Sequence, residues 1–211
     1  MKSISNYIAR SIFIFLFIIL TLFSCNKTPT NSEPFSVSFP DANFENLIRE
    51  TLNKTSEKIT NIDMQSILEL SGYQRNIRNI KGIEYCTNLK ELYLGDNDIS
   101  DIIPLSNLTD LQNLSLHYNN INDLSPLINL VKLQSLVLAD NNISDISPLS
   151  NLINLHFLKI GGNNISDIKS LLQNRGIGDG DTLNIVDNPL NEISLNIYIP
   201  QLQSRGVILY Y

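Results

Sequence analysis

Few side chains in this sequence are of the kinds that carry out catalysis. Neither histidine, His117 or His156, lies near a nucleophile motif, and the sequence has no G-x-S-x-G, H-E-x-x-H, phosphate-binding glycine loop or paired-cysteine metal motif. Nucleophilic and acid–base catalysis need such groups at defined spacings. We therefore expect a protein that is not an enzyme and that holds no cofactor and no metal ion.

A column of aspartates could serve either as helix caps or as metal ligands. Its members are Asp101, Asp123, Asp145 and Asp167. The column precedes the turns that carry Pro104, Pro126 and Pro148. A carboxylate at the start of a helical turn accepts hydrogen bonds from free backbone N–H groups. Because capping explains the column without an ion, we predict caps.

Cys25 follows an uncharged segment, residues 11–23, that begins after two basic residues. Such a segment is too short to cross a bilayer, which takes roughly 20 apolar residues, but it has the length of the apolar part of a signal peptide. Leu22-Phe23-Ser24-Cys25 resembles the lipobox of bacterial lipoproteins, although Phe23 replaces the small or β-branched residue usual there. The resemblance implies that residues 1–24 are a signal peptide and that Cys25 is lipidated.

A lipid on Cys25 would place the protein in the cell envelope, anchored to a membrane and facing the outside of the cytoplasm, at the cell surface or in the periplasm. An ordinary secretory signal and an uncleaved anchor remain alternatives. Residues 26–40 are rich in Asn, Thr, Pro and Ser. Such a composition buries too little apolar surface to fold. We predict that residues 25–40 are the lipidated cysteine and a flexible tether.

The whole chain has the composition of a folded protein. Its 211 residues are 43% hydrophobic and 17% charged, with a formal net charge of -6. This length leaves room for one domain plus a leader. No basic cluster offsets the negative charge, so nucleic acid is not an expected partner.

Two short helices are predicted between residues 41 and 66. Asp41 is a candidate N-cap for a first helix of about three turns, whose apolar residues recur at spacings of three and four. These residues are Phe44, Leu47, Ile48 and Leu52. A capping-box pattern from Thr60 to Asp63 starts a second helix, leading into Met64, Ile67 and Leu68. We predict that residues 41–66 cap the open end of a repeat array.

The middle of the chain repeats with a period of 22 residues. The copies open at Leu89, Leu111, Leu133 and Leu155, and each carries an asparagine, at Asn97, Asn119, Asn141 and Asn163. In L-x-x-L-x-L the last two apolar residues alternate with polar ones, which is typical of a short strand. Stacked strands would form a parallel sheet over one core. The asparagine amides can bond backbone groups left inside each sharp turn.

The pattern L-x-x-L-x-L-x-x-N-x-I resembles the leucine-rich repeat, and Asp-Ile-Ser-Pro-Leu in the second half resembles the internalin-like bacterial class. The resemblance covers roughly residues 41–211. It implies an α/β solenoid, a right-handed horseshoe with a parallel sheet on the concave face and short helical or 3-10 turns on the convex side. The expected repeats are 67–88 (degenerate), 89–110, 111–132, 133–154, 155–182 (with an insertion) and 183–193 (partial), followed by a C-terminal cap, 194–211.

Two departures from the repeat need their own interpretation. Cys86 occupies the position of Leu108 and Leu130 in later copies, which predicts a buried apolar residue rather than a nucleophile. A glycine-rich segment, residues 175–181, lacks the alternating ligands and closing glutamate of a calcium loop. We predict that this segment is a flexible spacer.

The concave sheet face is the usual binding surface of a leucine-rich repeat, and strand alternation indicates which residues point out of it. Most of these positions hold small or polar residues, but some hold aromatic or acidic ones. We predict a partner-binding set of Glu91, Tyr93, Asp96, Asn113, His117, Tyr118, Val137, Asp140, Phe157 and Lys159.

Exposed aromatic side chains on a rigid sheet bury much area at little entropic cost, so we predict protein–protein interaction. The acidic residues favour a partner with lysine or arginine, and a glycan stacking on the tyrosines is an alternative. The internalin resemblance implies a host surface protein as partner. A structural role in the envelope, through the solenoid edges or convex side, is the other alternative.

Overall fold

The computed structural model describes residues 33–211 of the chain. The predicted signal peptide, Cys25 and the first part of the tether lie outside these residues. Phe35–Tyr211 form one folded unit. Among residues 33–211, no helix combines the length and the apolar character needed to cross a bilayer.

Seven short strands form one parallel sheet, ordered as they occur along the chain. They are β1 (Glu69–Ser71), β2 (Glu91–Tyr93), β3 (Asn113–Ser115), β4 (Ser135–Val137), β5 (Phe157–Lys159), β6 (Thr182–Asn184) and β7 (Ile208–Tyr210). In register, Leu92 pairs with Leu114 and Leu114 with Leu136. One 22-residue repeat is therefore one coil of a solenoid, which confirms the predicted α/β architecture.

The N-terminal cap begins with two helices at the predicted positions. Helix α1 (Ala42–Leu52) starts at Asp41, whose carboxylate accepts hydrogen bonds from two backbone N–H groups, and helix α2 (Asn61–Gln65) starts with a capping box at Thr60. The apolar pattern suggested that α2 extends further. Instead the carbonyl of Leu68 already bonds the start of β2, and the Leu68 side chain is 52% exposed.

Residues 35–40 belong to the cap and not to the tether, so the predicted boundary at residue 40 is wrong. Val37 N–H donates to the Ile59 carbonyl at 2.8 Å. The Phe35 ring lies edge-on to Tyr85, with ring centres 5.3 Å apart, and Phe39 packs in the same way on Phe44. Three apolar residues alternate with polar ones here, and that local pattern outweighs the polar composition of the surrounding segment.

Five short helical turns link the first six strands in sequence. Four are 3-10 turns, Ile83–Tyr85, Ile103–Leu105, Ser125–Leu127 and Ser147–Asn151, and the fifth is helix α3 (Lys169–Gln173). Each aspartate of the predicted column accepts a hydrogen bond from the N–H two residues later, at 2.7–2.8 Å. As predicted, the column bonds free backbone N–H groups at the start of the turns, but each aspartate lies one residue before the N-cap position. Within residues 33–211, no three His, Cys, Asp or Glu side chains meet as metal ligands.

The repeat leucines and isoleucines form one continuous core. Cys86 lies in this core with no exposed surface, in the position that Leu108 and Leu130 take in later coils. Burial, together with the nearby Glu84 carboxylate, raises the pKa of the Cys86 thiol to about 12. A thiol with so high a pKa is a poor nucleophile at neutral pH, and the predicted core role of Cys86 is confirmed.

The asparagine column satisfies backbone groups inside the coils, as predicted. Asn141 Nδ2 donates to the carbonyls of Leu116 and Leu138 at 3.0 and 3.1 Å, and its Oδ1 accepts from Ile121 N–H at 2.9 Å. The same pattern recurs at Asn97, Asn119, Asn163 and Asn188. Each amide therefore ties its own coil to the preceding one.

The glycine-rich segment is anchored, so its interpretation as a flexible spacer is wrong. Asn174 is fully buried and donates to the carbonyls of Leu149 and Leu152, while Ile177 is 2% exposed. The Asp181 carboxylate accepts from Gly178 N–H at 2.8 Å. Beyond it a π-helical segment (Ser194–Tyr198), helix α4 (Ile199–Ser204) and β7 form the C-terminal end of the core.

Candidate binding face

The solvent side of the sheet, here called the concave face, consists of residues on either side of the strand leucines. In β2, β3 and β4 the central leucine is buried and both neighbours are half-buried. The predicted partner-binding residues all retain exposed surface. Glu91, Tyr93, Asp96, Asn113, His117, Val137 and Phe157 are half-buried, and Tyr118, Asp140 and Lys159 are exposed.

One column of this face adopts the left-handed backbone conformation. Asp96, Tyr118 and Asp140 have φ of 56°, 51° and 57°, and Gly162 continues the column at 65°. Aspartate and glycine tolerate this conformation, but a bulky residue does so at a cost of roughly 1–2 kcal/mol. Strain of this kind often marks functional sites. Gln74 belongs to the same column with φ of 55°, so Gln74 and Tyr118 are its members that are neither aspartate nor glycine.

Three aromatic side chains meet on the concave face. The rings of Tyr73 and His117 stack with centres 5.9 Å apart and planes inclined by 23°, and the Tyr118 ring stands at 66° to His117. Both tyrosines are more than half exposed, at 53% and 56%. His117 lies directly over Gly95, where a side chain would collide with the imidazole. A glycine in the neighbouring coil therefore creates the space for this cluster.

Tyr73 was missed by the sequence analysis. It precedes Gly95 by one repeat of 22 residues, so the register itself could have located it. The repeat that contains it, residues 67–88, is degenerate, which hides the correspondence between Tyr73 and Gly95. We refer to Tyr73, Asp96, His117 and Tyr118 as the Tyr73 cluster.

Hydrogen bonds fix the polar groups of the face. The Gln74 side-chain amide donates to the Asp96 carboxylate. Partial desolvation and the nearby Asp96 carboxylate raise the pKa of Tyr73. A hydrogen bond to Glu91, followed by burial and the charges of Glu91 and Glu69, raises the pKa of Tyr93 to about 12. Both phenols therefore remain protonated at neutral pH, and the Tyr93 hydroxyl donates its proton to the Glu91 carboxylate.

Phe157 does not join the other aromatic residues. It lies in β5, three strands and about 14 Å from Tyr93 in β2 at the usual strand spacing. Lys159 Nζ lies 5.2 Å from the centre of the Phe157 ring, in a cation–π contact. The predicted set therefore divides into an acidic and aromatic part near the N-terminal end and a separate Phe157–Lys159 pair.

A parallel-sheet solenoid with a 22-residue coil, an asparagine ladder and an open sheet face is a leucine-rich-repeat structure. Residues 87–129 and 131–173 match the family of leucine rich repeats (2 copies). The fold and the repeats are therefore those of an internalin-like leucine-rich-repeat protein, and the chain is similar to two solved internalins.

The internalin InlF of Listeria monocytogenes is 32% identical, with 82% of this chain and 56% of that chain covered and a TM-score of 0.62. Internalin C2 of the same species is 27% identical, with 87% of this chain and 98% of that chain covered and a TM-score of 0.57. A leucine-rich-repeat protein of Leptospira interrogans, 22% identical with 64% and 40% covered and a TM-score of 0.53, shares the fold. The chain thus spans 56% of the length of the InlF chain.

Proposed function

We propose that this chain is a recognition protein, and not an enzyme, whose concave face binds another protein. The observation that carries this proposal is the exposed stack of Tyr73, His117 and Tyr118 on a rigid sheet. Large aromatic side chains are the residues that most often dominate protein interfaces. An internalin-like fold favours protein–protein interaction over catalysis.

We further propose that lipid on Cys25 anchors the protein to a membrane. The solenoid would then lie on the side of that membrane that faces away from the cytoplasm. The sequence of residues 11–25 supports this proposal. Each buried methylene of a lipid chain contributes about 0.8 kcal/mol, so several chains would give stable attachment. Because the chain resembles internalins, we propose that the partner is a host surface protein.

A structural role in the envelope is the second candidate. Apolar side chains are exposed on the helical-turn side of the coils, away from the sheet. They are Ile103 (63%), Ile128 (44%), Val131 (44%) and Ile153 (56%). Such residues would suit association with another envelope component. Glycan stacking on the tyrosines is a third candidate, which would leave the acidic residues without a part in binding.

Photo-crosslinking from both sides of the solenoid separates these functions. A photoreactive amino acid would be placed at Asn113 or Ser135 on the concave face, and at Ile103 or Ser125 on the helical-turn side, in the full chain in the organism that produces it. After exposure to host cells, we expect a protein adduct from the concave positions only. Adducts confined to Ile103 or Ser125 would contradict concave recognition and support the structural role.

A further inference from the structure

The Tyr73 cluster presents a carboxylate beside two differently oriented aromatic surfaces. Tyr73 and His117 lie nearly parallel, whereas Tyr118 stands steeply to them. Asp96 lies beside these rings, because its carboxylate accepts a hydrogen bond from Gln74, the residue after Tyr73, and its N–H donates to the His117 carbonyl at 2.8 Å. A planar group could therefore stack on one ring while it contacts the carboxylate.

The surrounding charge is negative. Glu69 and Glu91 project from β1 and β2, and Asp140 lies two coils beyond Asp96 in the left-handed column. No lysine or arginine occupies the outward positions of β1 to β4 among the described residues. Lys90 flanks this region at the start of β2.

The nearest arginines already have carboxylate partners. Arg75 pairs with Glu50 at 2.8 Å and Arg78 with Asp98 at 3.3 Å. Both arginines are therefore already paired, and the side-chain amide of Gln74, which donates to the Asp96 carboxylate, carries no charge. Charge complementarity therefore selects a cationic occupant for this part of the face.

We propose that the Tyr73 cluster binds the guanidinium group of an arginine side chain carried by the protein partner. This inference rests on the proposed function of the concave face. A guanidinium is planar and weakly hydrated, so it can stack on Tyr73 or Tyr118 while its N–H groups bond Asp96. The compact, strongly hydrated ammonium of lysine suits the site less well.

The test is an NMR titration of residues 26–211, which contain the whole folded unit Phe35–Tyr211. The probe is acetyl-Gly-Gly-Arg-Gly-Gly-amide, compared with matched peptides that carry citrulline or lysine. We expect saturable shifts of the Tyr73, His117 and Tyr118 ring signals, with a Kd at least about tenfold lower for arginine than for uncharged citrulline.

Two charge-matched variants localise the binding. Asp96→Asn removes the carboxylate but keeps a residue type that adopts a φ of 56° readily, so its fold should be preserved. We expect it to weaken arginine binding by about tenfold or more. Asp98→Asn removes the same charge from a residue outside the concave columns, and we expect a change of less than about twofold, since exposed charges at a distance are screened by salt.

Three outcomes of the peptide titrations would overturn the inference. Equal binding of the arginine and citrulline peptides, equal binding of the lysine peptide, or unchanged binding by Asp96→Asn would exclude a guanidinium site. If the arginine peptide fails while protein adducts still form at Asn113 or Ser135, the concave function stands and only the arginine site is lost. If the peptide binds but no protein adduct forms there, the site stands and the proposed function fails.

Discussion

Asn141→Ala is expected to lower the free energy of unfolding by about 3–5 kcal/mol, because it leaves several buried backbone groups without partners. The amide bonds the carbonyls of Leu116 and Leu138 and the N–H of Ile121, and Asn141 is only 7% exposed. Neither water nor another side chain replaces those bonds in a close-packed coil. Urea denaturation of residues 26–211 measures the loss.

The neighbouring residue supplies the control for this experiment. Asn142 is exposed, so Asn142→Ala should change the free energy of unfolding by less than about 0.5 kcal/mol. If Asn141→Ala costs as little as Asn142→Ala, the asparagine ladder does not stabilise the coils.

Gly176→Ala is expected to destabilise the protein by about 2–3 kcal/mol through a backbone collision. An added Cβ would overlap the carbonyl oxygen of Ile153 and lie 2.7 Å from its Cα. Backbone atoms of a packed coil cannot move aside as the end of a flexible side chain can. Thermal and urea denaturation of the variant measure the effect.

Gly178→Ala is the matched change two residues further on. Its added Cβ meets nothing within 4 Å. Alanine there should be neutral or stabilise by up to about 1 kcal/mol, because it restricts the unfolded chain. Equal effects of the two substitutions would show that the segment does not pack on the preceding coil, and would restore its interpretation as a flexible spacer.

The repeats were predictable because each coil carries the same pattern of leucine and asparagine positions. Leu92, Leu114 and Leu136 occupy one strand position, and the asparagines one turn position, so the period fixes the register. The glycine-rich segment was mispredicted because what holds it is distant in sequence: Asn174 bonds carbonyls of an earlier coil. Local composition carries no information about such contacts.

The sequence predicts which residues lie on the concave face but not how their side chains are arranged there. Alternation places Tyr93 and Phe157 on one side of the sheet, but their separation follows from how many strands lie between them. The left-handed backbone of Tyr118 was not foreseen, since this conformation usually favours glycine, asparagine or aspartate. The stack of Tyr73 on His117 depends on side-chain rotamers and on the small size of Gly95.

The most direct measurement of concave recognition is the affinity of the photo-crosslinked partner for two double variants of residues 26–211. One variant combines Tyr73→Ala with Tyr118→Asn, and the other combines Ile103→Ala with Ile153→Ala, which changes two residues of similar exposure on the helical-turn side. We expect the first to weaken binding by about 100-fold or more, as for paired interface hot spots, and the second to leave it unchanged. A partner retained by the first variant and lost by the second would contradict the account.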